Sequence, residues 1–378
     1  MKTKLSIVFA LLLAGCLLLT GCFPGAGGSL FSCGGAAPAG WSGPVLGNDT
    51  LYVGTMTGQV IALENVGEPI VKFKWMYPPG GETALASVYG NPAIGEDSIF
   101  VGTYDGKVYA FYTENGLPQW LTSYKTGGAI VGSPAISDGT VYIGTSQGGL
   151  HAIDAATGTA KLGFAMFQTE GHDEIWATPV VHDGVVYVAA FDGRLYALDA
   201  ASGDQVWEPF QTGGAIACTP LIHDDVIYFG SFDRKFYALN KDGSQKWAEP
   251  FEADGWFWAK AVAYDGTVIV ASLDGRVYAL NADTGALVWQ YPEDGQVGSI
   301  RGDPALVGDL FVLGSEDGKV YALDAVTGVE KWQRDLESPV RASLYGGDGV
   351  VFVQASNQKV YAIETEDARP RWVFSTKE

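Results

Sequence analysis

Short apolar runs, separated by polar pairs that often contain glycine, make up the chain from Trp41 onward. The stretch from Ile130 reads IVGSPAI, TVYIGT and GGLHAID, and a fourth run ends near Leu162. Valine, isoleucine and aromatic residues dominate these runs, which is typical of antiparallel strands joined by hairpins. No stretch keeps a helical period, so the pattern predicts an all-β fold. Four Asp-Gly pairs favour type I′ turns: Asp105-Gly106, Asp192-Gly193, Asp274-Gly275 and Asp317-Gly318.

This four-strand pattern recurs eight times. Its copies share the alanines Ala62, Ala110, Ala152, Ala197, Ala238, Ala279, Ala322 and Ala362. Their spacing of about 43 residues lies in the range of propeller blades. Such units bury both faces of each sheet by packing sheet against sheet around a ring, which a β-sandwich pair or a solenoid does less well. We therefore expect an eight-bladed β-propeller of four-stranded antiparallel blades over 41–378. It should close with whole blades, because the first unit starts at Trp41 and the last ends at Trp372.

The first 21 residues have the features of a secretory signal: two lysines, an apolar stretch from Leu5 to Leu19, and small residues before a cysteine. LAGC and LTGC both resemble the lipobox of bacterial lipoproteins, in which the cysteine carries the lipid. Cys22 is the favoured lipidation site and Cys16 the alternative, since cleavage before Cys16 would leave three leucines at the start of the mature chain. An uncleaved membrane helix fits less well, because the apolar run is short. Residues 22–40, rich in glycine, alanine and proline, predict a flexible tether.

Composition and charge limit the partners and the covalent cross-links that can be expected. The chain has 378 residues and a formal net charge of −20 at pH 7, which removal of the two signal lysines makes more negative. Nucleic acid is therefore a poor partner for the surface as a whole. With Cys22 lipidated, only Cys33 and Cys218 remain, and no disulfide framework is predicted.

The element A-x-D-x-x-T-G-x-x-x-W, as in the stretch from Ala322 to Trp332, resembles the tryptophan-docking motif of the pyrroloquinoline-quinone (PQQ) type repeats. The resemblance covers roughly residues 41–372. It implies that the alanine lets the tryptophan of a neighbouring blade stack closely, and that the glycine makes the turn between the outer strands. The implied docking residues are Ala110, Trp120, Ala197, Trp207, Trp247, Ala279, Trp289, Ala322, Trp332 and Trp372. Leu162 replaces the tryptophan in the third copy, and Ala368 replaces the glycine in the last.

Two groups of proteins share this repeat. The quinoprotein dehydrogenases carry adjacent cysteines, calcium-ligating acids and a catalytic aspartate in a longer chain, whereas no two cysteines are adjacent here. The BamB-like lipoproteins of the outer-membrane assembly machinery are similar to this chain in length, anchor and number of blades, and are non-catalytic. The resemblance favours the second group, although propellers of this repeat serve many roles.

Functional residues are expected where the copies differ. The position three before the proline of the GSPA-like segments begins each inner strand, and it reads Trp41, Tyr89, Val131, Trp176, Ala217, Trp258, Arg301 and Arg341 around the ring. These residues should lie at one mouth of the channel, on the face of the Asp-Gly turns, with Lys260 and Asp303 two residues further in. The hypothesis is a binding rim in which Trp176, Trp256 and Trp258 give contact area and the two arginines hold a carboxylate. The alternative is that the tryptophans only plug the channel and the arginines satisfy local carbonyls.

The remaining polar residues give no comparable site. His182-Asp183 and His223-Asp224 occupy equivalent turns on the opposite face, without the tight spacing of a metal site. No G-x-S-x-G, P-loop or H-E-x-x-H motif is present. We therefore expect no catalytic residues, cofactor or metal, and a monomeric, lipid-anchored extracytoplasmic propeller that acts as a scaffold for protein partners in the cell envelope. A PQQ-dependent dehydrogenase and a solute-binding or sensor propeller remain as alternatives.

Overall fold

The computed structural model describes residues 40–377, in which the regular secondary structure consists of strands alone. The predicted signal peptide, Cys16, Cys22 and most of the predicted tether lie outside the described residues.

Blades 1 to 4 contain β1 (Val45–Gly47), β2 (Thr50–Gly54), β3 (Val60–Glu64) and β4 (Lys72–Tyr77); β5 (Ala93–Ile94), β6 (Ser98–Gly102), β7 (Lys107–Tyr112) and β8 (Tyr124–Lys125); β9 (Ala135–Ser137), β10 (Thr140–Gly144), β11 (Gly149–Asp154) and β12 (Phe167–Gln168); β13 (Val180–His182), β14 (Val185–Ala189), β15 (Arg194–Asp199) and β16 (Phe210–Gln211). Blades 5 to 8 contain β17 (Leu221–His223), β18 (Val226–Gly230), β19 (Lys235–Asn240) and β20 (Phe251–Glu252); β21 (Val262–Tyr264), β22 (Thr267–Ala271), β23 (Val277–Asn281) and β24 (Leu287–Tyr291); β25 (Ala305–Val307), β26 (Leu310–Gly314), β27 (Lys319–Asp324) and β28 (Glu330–Asp335); β29 (Tyr345–Gly347), β30 (Val350–Ala355), β31 (Lys359–Glu364) and β32 (Pro370–Ser375).

Each blade is an antiparallel meander whose strands pair in chain order, so the predicted eight-bladed propeller is confirmed. The blades fall into two groups by their outermost strand. Blades 1, 6, 7 and 8 have an outer strand of five or six residues with an irregularity after the repeat alanine. Blades 2 to 5 have outer strands of only two residues, supplemented by one isolated bridge each. The ring closes with whole blades, because Leu51 of blade 1 and Phe352 of blade 8 share one buried cluster.

The first two hairpins of a blade use different turns, which corrects the turn type expected for the Asp-Gly pairs. In the first hairpin of blade 4, both Asp183 and Gly184 have positive φ, 48° and 74°, as a type I′ turn requires. In the second hairpin only Gly193 is left-handed, and its N–H donates to Ala190 O at 3.1 Å. This geometry is a type I turn followed by a left-handed glycine.

Seven of the eight blades bind the next blade through the same tryptophan hydrogen bond. Trp289 Nε1 of blade 6 donates to Ala325 O of blade 7 at 3.3 Å, and Trp372 Nε1 closes the ring by donating to Val66 O at 2.9 Å. The other five bonds join Trp75 to Thr113, Trp120 to Ala155, Trp207 to Lys241, Trp247 to Ala282 and Trp332 to Thr365. Since each acceptor is a backbone carbonyl, the bond does not depend on the side chain there.

The repeat alanine has a different position from the one that the resemblance implies. Ala322 lies opposite Trp332 of its own blade, in the adjacent strand, and three other blades show the same pairing. The neighbouring blade receives a tryptophan on its turn glycine: a Cβ on Gly285 would lie 2.7 Å from Trp247 Cδ2. Four other blades repeat this contact. The alanine therefore makes room for the tryptophan within one sheet, and the glycine makes room between sheets.

Blade 3 makes its contact with blade 4 differently. Leu162, which takes the place of the tryptophan, is 95% exposed and does not dock. Phe164 packs into the cluster between the two blades instead, with its ring 5.9 Å from the ring of Tyr142. The side chain that seals this interface is therefore two residues further along the chain than the repeat indicates.

Candidate functional site

The variable positions meet at one end of the central channel, where they line a pocket of about 70 Å³. They are Trp41, Tyr89, Val131, Trp176, Ala217, Trp258, Arg301 and Arg341. The apolar residue before each of the last seven is fully buried. In blades 2 to 8 the segment before the inner strand is held beside the second hairpin, as where the Phe191 N–H donates to Glu174 O at 2.9 Å. The pocket therefore opens on the face of the Asp-Gly turns.

Aromatic side chains from blades 4 to 6 form a continuous cluster at this pocket. Trp176 lies 4.6 Å from Phe191 and 6.3 Å from Trp258, measured between ring centroids. Phe232 stacks on Trp256 at 4.8 Å and on Trp258 at 5.6 Å. Trp256 belongs to this cluster without lining the pocket. Offset and tilted ring pairs of this kind contribute about 0.5–1.5 kcal/mol each beyond the area they bury.

A second aromatic group stands at blades 1 and 2. The ring of Tyr89 lies edge-on to Trp41 at 4.7 Å and 5.4 Å from Tyr104. Burial and the neighbouring Tyr104 raise the pKa of the Tyr89 hydroxyl to about 12. The Tyr89 hydroxyl is therefore neutral at physiological pH.

The two predicted arginines share one carboxylate that the sequence did not indicate. Arg301 Nε donates to Glu316 Oε1 at 2.8 Å, and Arg341 Nε donates to the same oxygen at 3.0 Å. The Arg301 guanidinium also lies over the Trp258 ring, 5.7 Å from its centroid. Side-chain exposure is 17% for Arg301, 33% for Arg341 and 27% for Glu316, so the ion pairs are only partly screened by water. Two guanidinium groups and one carboxylate leave one uncompensated positive charge.

Below the rim, backbone amides bond to side chains of the next blade. The Lys260 N–H donates to Asp303 Oδ1 at 2.7 Å, and the Asp303 N–H donates to Ser343 Oγ at 3.2 Å. The same bond joins Gly43 to Asn91, Asn91 to Ser133, Ser133 to Thr178 and Thr178 to Thr219. Lys260 and Asp303 are thus in contact through the lysine backbone. Burial raises the pKa of Asp303, while the Lys260 amide and ammonium and the Ser343 hydroxyl oppose the shift.

Sequence comparison of the copies missed a second set of rim residues. Tyr104, Phe191, Phe232 and Glu316 all stand in the second hairpin turn of their blades, and all of them contact predicted rim residues. The same position holds Met56, Ser146, Leu273 and Ser356 in the other blades. This variability was the signal that would have identified them.

The pocket does not fit PQQ, the cofactor that one group with this repeat carries. A volume of about 70 Å³ holds a few water molecules, far less than the ~300–1,000 Å³ of pockets that take drug-sized ligands. Asp303, the carboxylate in its wall, already accepts a hydrogen bond from the Lys260 N–H. Cys218, the single cysteine within residues 40–377, is fully buried. We therefore derive no chemistry through this cofactor.

One group of possible metal ligands occurs in the part of the chain that the structure describes, on the opposite face. His182, Asp183 and Asp225 place ligand atoms within 4.8 Å of one another. Lys241 Nζ lies 3.2 Å from Asp225, and an ammonium group there opposes a bound cation. Within the same range of residues, no helix is long and apolar enough to span a membrane.

Fold and repeat together define the class of protein: an eight-bladed β-propeller whose blades are docked by tryptophans. The sequence matches the family described as outer membrane protein assembly factor BamB over residues 26–231, 192–334 and 273–378. The chain therefore belongs to this family. None of the curated proteins matches the sequence significantly.

Solved structures share the architecture at low sequence identity. BamB from Moraxella catarrhalis is 21% identical, with a TM-score of 0.68, over 89% of this chain and 94% of that one. The computationally designed protein Ika8 is 17% identical, with a TM-score of 0.71, over 87% and 97%. A europium-containing methanol dehydrogenase is 16% identical, with a TM-score of 0.69, over 88% and 84%. Because a designed protein and a dehydrogenase share the fold with BamB, the fold alone does not distinguish a binding protein from an enzyme.

Proposed function

We propose that this protein is a non-catalytic, lipid-anchored propeller of the cell envelope that binds protein partners through its rim. The observation that carries the proposal is the aromatic cluster of blades 4 to 6, whose tryptophans are partly exposed beside a guanidinium pair at positions where the copies diverge. Tryptophan, tyrosine and arginine are the residues that dominate the energy of protein interfaces. Family membership supports a role in outer-membrane protein assembly, with Cys22 carrying the lipid.

Site-specific photo-crosslinking in the native cell tests the binding face. A photoreactive amino acid at position 256 should give adducts with envelope proteins of the assembly machinery, whereas one at Val329, 58% exposed on the outer edge, should not. The additional change Trp258→Ala should weaken the adduct at position 256, because it removes the centre of the cluster. Tyr112→Ala, which removes an outer aromatic side chain that is 42% exposed, is the matched control. Adducts that persist unchanged in the Trp258→Ala protein would place the partner elsewhere.

The enzyme alternative has a separate test. Purified protein is incubated with PQQ and Ca²⁺, its absorbance spectrum is recorded, and dye reduction is followed with alcohols and sugars. We expect no protein-dependent change in the cofactor spectrum and no turnover, because the pocket is too small. Turnover would overturn the proposed function.

The lipid anchor is tested by the mass of the mature protein. Replacement Cys22→Ala should abolish the lipid-dependent mass and membrane retention, whereas Cys16→Ala should leave both unchanged. The opposite result would move the anchor to Cys16.

A further inference from the structure

The charge at the rim is unbalanced, and the imbalance is local. Arg301 and Arg341 share the single oxygen Glu316 Oε1, and Asp303, the carboxylate further in, is bonded to the backbone of Lys260, which brings a cation of its own. One positive charge therefore stays without a carboxylate at the pocket wall. In a protein with a formal charge of −20, such a surplus at a partly buried place stands out from the rest of the surface.

Hydrogen-bond donors at the pocket also exceed acceptors. A guanidinium has five N–H donors, and in the described residues each of these two arginines uses one of them, its Nε, on Glu316. The terminal nitrogens of both side chains remain for water or a ligand. Trp176 Nε1 is buried and finds no acceptor among residues 40–377. A ligand that suits this wall must therefore bring acceptor oxygens.

Size and surroundings restrict the ligand further. About 70 Å³ is room for a group of carboxylate size and for little more. On the other side of Arg301, the Trp258 ring joins the guanidinium to the aromatic cluster, so an apolar side chain next to the carboxylate would rest on indole. Planar guanidinium groups bind carboxylates through paired N–H donors.

We propose that the Arg301 and Arg341 pair is a recognition site for a carboxylate of a protein ligand, and that Glu316 occupies the site in the free protein as an internal competitor. The proposal rests on the proposed function, since it names the chemical group that the rim recognises. A ligand carboxylate has to add to, or replace, the bonds that Glu316 makes to the two Nε atoms. The chain thus holds its own binding site partly closed, and the two sides of the ion pair have opposite effects on affinity.

Isothermal titration with short peptides tests this directly. The probes are acetyl-Ala-Leu-Ala-Leu as the free acid, the same peptide amidated, and amidated acetyl-Ala-Leu-Glu-Leu. Binding of the free acid alone identifies a chain-terminal carboxylate as the ligand, and binding of the glutamate peptide identifies a side-chain carboxylate. Either result supports the proposal. Equal affinity for all three probes, or no saturable heat for any of them up to ~5 mM, would overturn it.

The variants give effects of opposite sign, which a merely structural role would not produce. Glu316→Gln keeps an oxygen that accepts from both Nε atoms but removes the competing charge, and should tighten binding of the acidic probe about tenfold. Arg301→Gln combined with Arg341→Gln should weaken it at least about tenfold, and the paired Arg→Lys variant, which keeps the charge without the fork, should fall between. Glu252→Gln, in the exposed ion pair with Arg234, is the control and should change nothing.

Failure of the carboxylate site and failure of the binding rim are distinguishable. If Glu316→Gln and the arginine variants leave peptide affinity unchanged while the crosslink at position 256 persists and still depends on Trp258, the rim binds its partner without this charge recognition. If the crosslink is also absent, the proposed function fails as well. Circular dichroism and unfolding midpoints of each variant show whether the propeller is folded in the compared samples.

Discussion

Replacement of Gly285 by alanine tests how one blade receives the tryptophan of its neighbour. A Cβ at this position would lie 2.7 Å from Trp247 Cδ2 and 2.8 Å from Cε3, closer than such atoms approach without displacement. Trp247 has little freedom to move, because it is 2% exposed and its Nε1 donates to Ala282 O at 3.0 Å. Gly266 supplies a matched control: its φ is 71° against 75° for Gly285, but no atom lies within 4 Å of the added Cβ.

The two variants share the cost of a left-handed alanine, about 1–2 kcal/mol. Only Gly285→Ala adds the cost of overpacking against a fixed indole, about 1–3 kcal/mol. At about 2 cal/mol/K of unfolding entropy per residue over roughly 340 folded residues, each kcal/mol lowers Tm by about 1.4 °C. Gly285→Ala should thus melt about 3–7 °C below the parent protein, and Gly266→Ala about 1.5–3 °C below it.

Urea unfolding at 25 °C provides the free energies, and a double-mutant cycle with Trp247→Ala isolates the contact. In the Trp247→Ala background the extra cost of Gly285→Ala over Gly266→Ala should vanish. Equal destabilisation by the two glycine variants in the parent protein would refute the assignment of Gly285 as the receiving surface. The chain already contains one departure from glycine here: Ala368 of blade 8 has φ 61°, so an interface built around a Cβ is possible.

Three further predictions concern other parts of the ring. Trp372→Phe should cost about 1–3 kcal/mol in urea unfolding, because it leaves the buried Val66 carbonyl without its donor; no measurable change would show that the ring closure does not depend on this bond. Phe164→Ala should destabilise by about 1–2 kcal/mol while Leu162→Ala, at a side chain that is 95% exposed, stays within about 0.5 kcal/mol; the reverse order would show that the leucine docks after all. Burial raises the folded-state pKa of Asp303 above its unfolded value, so its contribution to stability falls as the pH rises from the unfolded pKa through the folded one. Asp303→Asn keeps an acceptor oxygen and should be more stable than the parent near pH 7 but equal to it near pH 3, as measured by urea unfolding at both pH values; equal stability at both would contradict the raised pKa.

The architecture was predictable because the same four-strand pattern recurs eight times in the sequence. Strand number, blade number and closure with whole blades follow from spacing and alternation, and the structure confirms them. The turn type was wrong because the Asp-Gly pair suits more than one hairpin. The aspartate is better explained as the acceptor of a tyrosine four residues later, as where Tyr278 donates to Asp274 at 2.9 Å.

At the site, the sequence located the rim but not its chemistry. Copy-to-copy variation placed all eight inner-strand positions around one pocket. It did not indicate that Glu316 neutralises part of the arginine pair, because a carboxylate in a hairpin turn is ordinary turn composition. Nor did it show that the Asp303 carboxylate accepts a hydrogen bond from the Lys260 backbone, since that amide lies some forty residues away in the chain.

The residues that vary between blades at the rim nevertheless also affect how the blades are held together. The amide bonds below the rim need a side-chain acceptor on each following blade. Gly43 has no side chain, and Lys260 offers no acceptor because its side chain ends in an ammonium group. At this boundary between blades 5 and 6, Phe232 of one blade stacks on Trp256 and Trp258 of the other. The aromatic cluster therefore joins blades 5 and 6, between which the amide bond to a side chain is missing. A loss of partner binding in Trp258→Ala accordingly counts as loss of a binding contact only if the unfolding free energy of the variant stays close to that of the parent.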